Sequence, residues 1–159
     1  MEYFVTSIKE ITSKRRAVYV DYEHVFALYA GELRKFGIKE QSYISEDVYD
    51  EIMTVLSKRA VIRGMNLLKN KDYTRAEFIK KLKDGYYPDK AVNAALEYID
   101  RYCYIDDDRY ARNYVAFKAP VKSRRIIEQK LKEKGVSADI IACVCDEYYS
   151  DNGECELNQ

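Results

Sequence analysis

The stretch Thr74-Arg75-Ala76-Glu77-Phe78-Ile79-Lys80-Lys81-Leu82-Lys83-Asp84-Gly85 returns 49 residues later as Ser123-Arg124-Arg125-Ile126-Ile127-Glu128-Gln129-Lys130-Leu131-Lys132-Glu133-Lys134-Gly135. Each copy opens on a hydroxyl residue, which suits a helix N-cap. In the first copy Glu77, three residues on, completes a capping box. Phe78 and Leu82 fall on Ile127 and Leu131, so the apolar stripe is kept, and a glycine closes each run. The same shift of 49 lays Arg63 on Arg112 and Lys69 on Lys118; a one-residue insertion then makes it 50, placing Gly85 on Gly135, Asp89 on Asp139, Glu97 on Glu147 and Tyr98 on Tyr148. Chance rarely aligns caps, stripe and terminators together, so the chain carries a duplication. Each copy reads as three helices, and stacked units bury faces that neither buries alone.

Working outward, a helical period begins after Ser45, a good N-cap, with Val48, Ile52, Val55, Leu56 and Arg59 near one stripe, and runs to about Asn70. After Gly85, Pro88 suits the first position of a further helix, because its missing N–H has no partner to lose there. That helix buries Ala91, Val92, Ala95, Leu96 and Ile99 and ends near Tyr102. Towards the N-terminus the period changes to two. Phe4–Ile8, Ala17–Val20 and Val25–Tyr29 are rich in β-branched and aromatic residues, and polar turns separate them. They predict a three-stranded meander that needs a helix against one face. A short helix around Gly31–Phe36 closes at Gly37. The expected fold is therefore mainly α: tandem three-helix repeats, two units, preceded by a small N-terminal β-meander. The expected segments are 1–44 (β-rich), 45–104 (lead-in helix and first repeat), 105–149 (second repeat) and 150–159 (a polar, frayed tail).

Composition narrows the function classes. The chain is 47% apolar and 34% charged, enough core for a water-soluble helical protein. No apolar run approaches a membrane span, and the first ten residues have none of the regions of a signal peptide, so a cytoplasmic protein is expected. Cys103, Cys143, Cys145 and Cys155 form no C-x-x-C pair and read as structural thiols. His24 is the single histidine, which leaves no histidine triad or multi-histidine metal site. The net charge of zero divides into −3 for residues 1–56, +9 for 57–136 and −6 for 137–159. A basic middle between acidic ends points to an anionic partner.

No catalytic constellation is visible. Asp106-Asp107-Asp108 resembles a metal cluster, but successive helical residues point about 100° apart and do not focus on one ion. Asp106 as a cap, with two carboxylates at the positive helix end, explains the run better. No phosphate loop, G-x-S-x-G or H-E-x-x-H occurs. No enzyme and no cofactor is expected. The sixteen tyrosines read chiefly as packing residues with hydroxyls at the rim. The run Lys118 to Lys134 is different. Ile126, Ile127, Lys130 and Leu131 share the expected core side, with Lys130 reaching past it. Arg125 and Lys132 share the outer face, with Glu128 placed to pair with either. Lys118, Lys122, Arg124 and Arg125 crowd the loop end, the best place for phosphates or acidic side chains to dock.

Several of these segments resemble the RecX family of regulatory proteins. Tyr104-Ile105-Asp106-Asp107-Asp108-Arg109-Tyr110-Ala111-Arg112-Asn113-Tyr114-Val115 is similar to the family's aromatic-aliphatic-Asp-Asp-x-Arg-aromatic-Ala signature. Ser123 to Val136 resembles its basic helix with a Lys-Gly-aliphatic ending, and Thr74 to Tyr86 resembles the equivalent part of the preceding unit. The resemblance covers about residues 55–149. Cys103 and Ser123 stand where glycine is usual, and Tyr22 stands in place of a turn glycine. Two helical units are present where members commonly have three. The resemblance implies a cytoplasmic, non-enzymatic regulator, expected as a monomer without membrane association. Such a regulator binds the RecA filament, inhibits recombinase and coprotease activity, and has some affinity for single- and double-stranded DNA. Joined to the charge pattern, it nominates Arg109, Arg112, Lys118, Lys122, Arg124, Arg125 and Lys132 as partner- or DNA-binding residues. The alternative is a general nucleic-acid-binding helical module without a RecA role.

Overall fold

The computed structural model describes residues 1–157, the last seven by their main chain only. Among these residues the order is β1 (Glu2–Glu10), β2 (Arg15–Val20), β3 (His24–Tyr29), α1 (Ala30–Phe36), β4 (Ser42–Ser45), α2 (Glu46–Asn70), α3 (Arg75–Asp84), α4 (Asp89–Arg101), α5 (Asp107–Lys118), α6 (Arg124–Glu133) and α7 (Ala138–Leu157). The chain forms two compact units: Met1–Leu67 with Lys80–Arg101, and Leu68–Ile79 with Tyr102 onward. Of the expected tail at 150–159, the main chain to Leu157 continues α7, and Asn158 and Gln159 lie outside the described residues.

In the first unit the three expected strands form an antiparallel meander, and a fourth strand beyond the expected three, β4, pairs with β1 to give the order β3-β2-β1-β4. A four-residue strand leaves too short an alternation to read, and it exists because β1 offers it a partner edge. The turn between β2 and β3 places Asp21 and Tyr22 at φ 50° and 66°. Two left-handed residues give the twist that matches a hairpin, usually supplied by Asn-Gly or Asp-Gly. Asp21 is held there by Phe4, whose carbonyl accepts from its N–H at 2.8 Å and whose N–H donates to its carboxylate at 3.2 Å. The helix that the sheet required is α2. Tyr49 stacks on Tyr3 with centroids 3.8 Å apart and meets Phe26 edge-on. Ile52, Met53 and Leu56 are buried with Val5, Val18, Phe26 and Leu28. Ser45 caps α2 through the N–H of Val48. Gly37 closes α1 in the left-handed conformation, as expected. Across α1 and α2, Arg59 grips Glu32 with two hydrogen bonds of 2.8 and 3.2 Å.

The second unit has one continuous core of Ala111, Val115, Ile127, Leu131, Val136, Ile141, Val144 and Cys145, with Tyr110, Tyr114, Tyr148 and Tyr149 packed around it. The packing reading of these tyrosines holds. Thr74 and Glu77 form the expected capping box, each amide bonded to the other's side chain at 3.1 Å. Ser123 caps α6 through the N–H of Ile126. One point of the reading is corrected: Ile126 lies on the solvent side, 47% exposed, and Lys130 is exposed beside Glu133 rather than reaching from the core.

From the second helix of each repeat onward the correspondence is a constant 49, with no insertion. The bonds Tyr86 N–H to Lys83 and Tyr87 N–H to Leu82 recur as Gly135 N–H to Lys132 and Val136 N–H to Leu131. Val92 N–H to Pro88 recurs as Ile141 N–H to Ser137, so Pro88 stands just ahead of α4. The left-handed residue is Tyr86 at φ 66° in the first repeat and Gly135 at φ 85° in the second. Gly85 therefore answers Lys134. The insertion that a glycine-to-glycine match implies is absent from the backbone, where Tyr86 and Gly135 hold the equivalent left-handed position.

Candidate partner-binding face

Two helices and the corner between them position the cations nominated from sequence. Asp106 opens α5 by accepting from the N–H of Arg109 at 3.1 Å. Asp107 accepts from the N–H of Arg75 and Asp108 from the side chain of Arg112, so the three carboxylates diverge as the helical geometry required. Among the described residues no group of three Asp, Glu, His or Cys converges to hold a metal. No helix among them is long and apolar enough to cross a membrane. Cys143 is exposed and Cys145 buried, which separates the two thiols, and burial pushes the Cys145 thiol up.

The nominated cations divide into two groups. Arg112 bonds Asp108 and Glu147, both at 2.6 Å. Arg124 bonds Glu128 at 2.6 Å and also Asp146. Hydrogen bonds to these carboxylates hold both guanidiniums well above their ordinary range. They are internal struts, linking α5 and α6 to the acidic α7. The other five, Arg109, Lys118, Lys122, Arg125 and Lys132, form no ion pair among the described residues. Glu128 is committed to Arg124, so it pairs with neither Arg125 nor Lys132, contrary to the sequence reading.

The free cations are not all together. Nine residues of helix place Arg109 about 13 Å from Lys118 along the axis of α5, and Arg109 borders a small hollow with Tyr73, Tyr104 and Tyr110. Lys118 and Lys122 stand at the corner where α5 passes into α6, and Arg125 lies in the first turn of α6. The N–H groups of Val121 and Lys122 both bond the carbonyl of Lys118, at 3.0 and 2.8 Å. That preserves a helical turn and sets Lys118 and Lys122 on one side. Lys132, seven residues beyond Arg125, borders a shallow hollow of about 610 Å³ that Arg125, Gln129, Val136 and Ile141 also line.

Sequence reasoning passed over the apolar members of this corner. Phe117, Val121 and Ile126 are 76%, 73% and 47% exposed. Lys118 lies over the Phe117 ring at 5.2 Å. A signal existed: Phe117 follows the buried Val115 by two residues, about 200° round the helix, and so faces away from the core. Large exposed apolar side chains beside these cations make the corner a candidate partner surface.

The fold defines a class first: a helical-repeat protein of three-helix units behind a small sheet. The model of the RecX second three-helix domain matches residues 106–144, which contain α5, α6 and the corner. The regulatory protein RecX of Caldanaerobacter subterraneus subsp. tengcongensis is 29% identical over 152 residues, covering 94% of this chain and 77% of the relative. That of Clostridium perfringens strain 13 is 30% identical over 129 residues, covering 78% and 59%. A crystal structure of regulatory protein RecX superposes with a TM-score of 0.58 at 23% identity, over 92% of this chain and 74% of that one. The Lactobacillus salivarius RecX structure gives 0.58 at 21% over 62% and 65%, so both show a shared fold. Together these matches support a RecX-family protein. The chain spans 77% and 59% of the length of these two curated relatives. Those relatives carry the name of regulatory proteins, not of enzymes.

Proposed function

We propose that this chain is a non-enzymatic, monomeric cytoplasmic regulator that binds the RecA filament on DNA, inhibits its recombinase and coprotease activity, and makes contact through the α5–α6 corner. The observation that carries the reading is the presence at that corner of Lys118, Lys122 and Arg125, with no ion pair among the described residues, and of exposed Phe117, Val121 and Ile126. Cations steer the chain to a polyanionic assembly, and apolar side chains add short-range affinity once water is expelled. Kinship with proteins named RecX supports RecA as the partner.

The test is DNA-dependent ATP hydrolysis by a cognate RecA. Added protein should lower the rate in a saturable way. Replacing Lys118, Lys122 and Arg125 together by Ala should raise the half-inhibitory concentration about tenfold or more, the expected loss for about 1.4 kcal/mol of contact energy. Unchanged hydrolysis and filament length at saturating protein would reject the reading. Binding to duplex DNA whose logarithm falls steeply with log salt, without any effect on RecA, would replace it with the plain nucleic-acid-binding alternative.

A further inference from the structure

The first unit holds a cleft that the RecA reading does not use. Arg15, Tyr29, Arg59, Arg63, Lys81 and Tyr87 line it, and its volume is about 390 Å³. Arg59 is spent on Glu32 and lies over the ring of Tyr29 at 5.0 Å. Arg15 gives one N–H to the carbonyl of Gly85 at 3.0 Å, which fixes the guanidinium in the wall. Arg63 and Lys81 take part in no ion pair among the described residues. The acidic wall residue, Asp84, already faces Lys80 at 4.0 Å. Arg15, Arg63 and Lys81 therefore line one cleft with Asp84 as the one carboxylate in its wall, an excess of positive charge.

A second cleft of about 420 Å³ follows the same strand, sharing Tyr86 and Tyr87 with the first. Val25, Phe26, Met53 and Pro88 give it an apolar lining, and Glu23 and Asp89 balance Lys83 and Lys90. The strand along both is β3, an edge strand of six residues. Its length is about 20 Å. The groove is thus strongly positive at the Tyr29 end and apolar, near charge balance, at the His24 end.

We infer that this groove is a docking site for an extended peptide segment of a partner protein. Its carboxylates sit among Arg15, Arg63 and Lys81, and an aliphatic side chain follows against Val25 and Met53. Arginine forks match carboxylates with paired hydrogen bonds, and extended peptides commonly run along exposed sheet edges. A nucleic-acid strand fits less well, because its backbone would lay phosphates against the apolar half. The site lies in a different unit from the α5–α6 corner and stands or falls independently of it.

The probe is a fluorescein-labelled heptapeptide with three glutamates followed by leucine and valine, titrated with the full chain and read by anisotropy. Saturable binding is expected, at least tenfold weaker for the Arg63→Ala/Lys81→Ala variant, for a peptide with glutamines in place of glutamates, and for one with serine in place of leucine. Both replaced residues are exposed, so the variant should melt as the wild type does. The Lys118/Lys122/Arg125 alanine variant should bind the peptide unchanged. Absence of saturable binding up to millimolar protein, or affinity indifferent to Arg63→Ala/Lys81→Ala, would overturn the assignment. So would a fifteen-residue thymidine oligonucleotide that binds more tightly than the peptide and loses that affinity in the same variant.

Discussion

The hydroxyl of Thr74 donates to the main-chain carbonyl of Lys134, 60 residues along the chain, at 2.6 Å. The same oxygen accepts from the N–H of Glu77, and the Glu77 carboxylate faces the Lys134 ammonium at 3.7 Å. Thr74 is fully buried, so one side chain both caps α3 and closes the end of α6. Burial alone would lower the Lys134 ammonium, but its hydrogen bond to Tyr110 and the fields of Tyr110 and Glu77 outweigh that and raise it.

Thr74→Val keeps the shape and removes the oxygen. It strands a buried carbonyl and an N–H of α3, an expected loss of about 2–3 kcal/mol in urea denaturation. Thr74→Ser retains both bonds and should lose less than half as much. Equal losses would assign the effect to the methyl group.

Gly135→Ala should be severe. The residue has φ 85°, and an added Cβ would stand 2.3 Å from the Cβ of Ala76. The backbone strain alone is about 1–2 kcal/mol, and the clash adds to it. Pairing the change with Ala76→Gly should recover part of the loss, and full recovery would show that the backbone strain is negligible.

Tyr22→Gly should stabilise the protein by about 0.5–1 kcal/mol, because glycine tolerates the left-handed turn position. The Tyr22 side chain is 81% exposed and gives up little packing. A lower melting temperature would count against strain at this turn.

The Glu32–Arg59 pair predicts a pH dependence. Burial raises the Glu32 carboxyl, but hydrogen bonds from Arg59 and from the N–H of Tyr29 outweigh it, and the net shift is downward. A group whose folded value is lowered contributes stability above its unfolded value, near 4.5, and loses that contribution as pH falls through the folded value. Wild type should exceed Glu32→Gln by about 1.5 kcal/mol at neutral pH, and the gap should close below the folded value. A gap that never narrows down to the acid limit of the folded state would assign the effect to packing.

Arg124→Ala should differ from Arg125→Ala in kind. Arg124 is tied to Glu128 and Asp146 at the surface, so its loss should lower stability by less than about 1 kcal/mol and leave the proposed RecA inhibition nearly intact. Arg125 should show the reverse. Equal inhibition defects would place the contact across both faces of α6.

Periodicity, caps and breakers were enough to read the repeats from the chain alone. Ser123, Asp106 and Gly37 act within a few residues of themselves, as Thr74 does in capping Glu77, and the stripe through Ile127 and Leu131 repeats with the helix, so local physics decides them. Long-range geometry decided the rest. The strand β4 exists because β1 lies beside it. Ile126 is exposed because α7 covers the other side of α6. Arg112 and Arg124 are spent because Glu147 and Asp146, respectively 35 and 22 residues away along the chain, fold back to them. A sequence shows which residues carry charge. Whether that charge is available to a partner depends on distances of a few ångströms between residues far apart in the chain, and only the folded structure sets those.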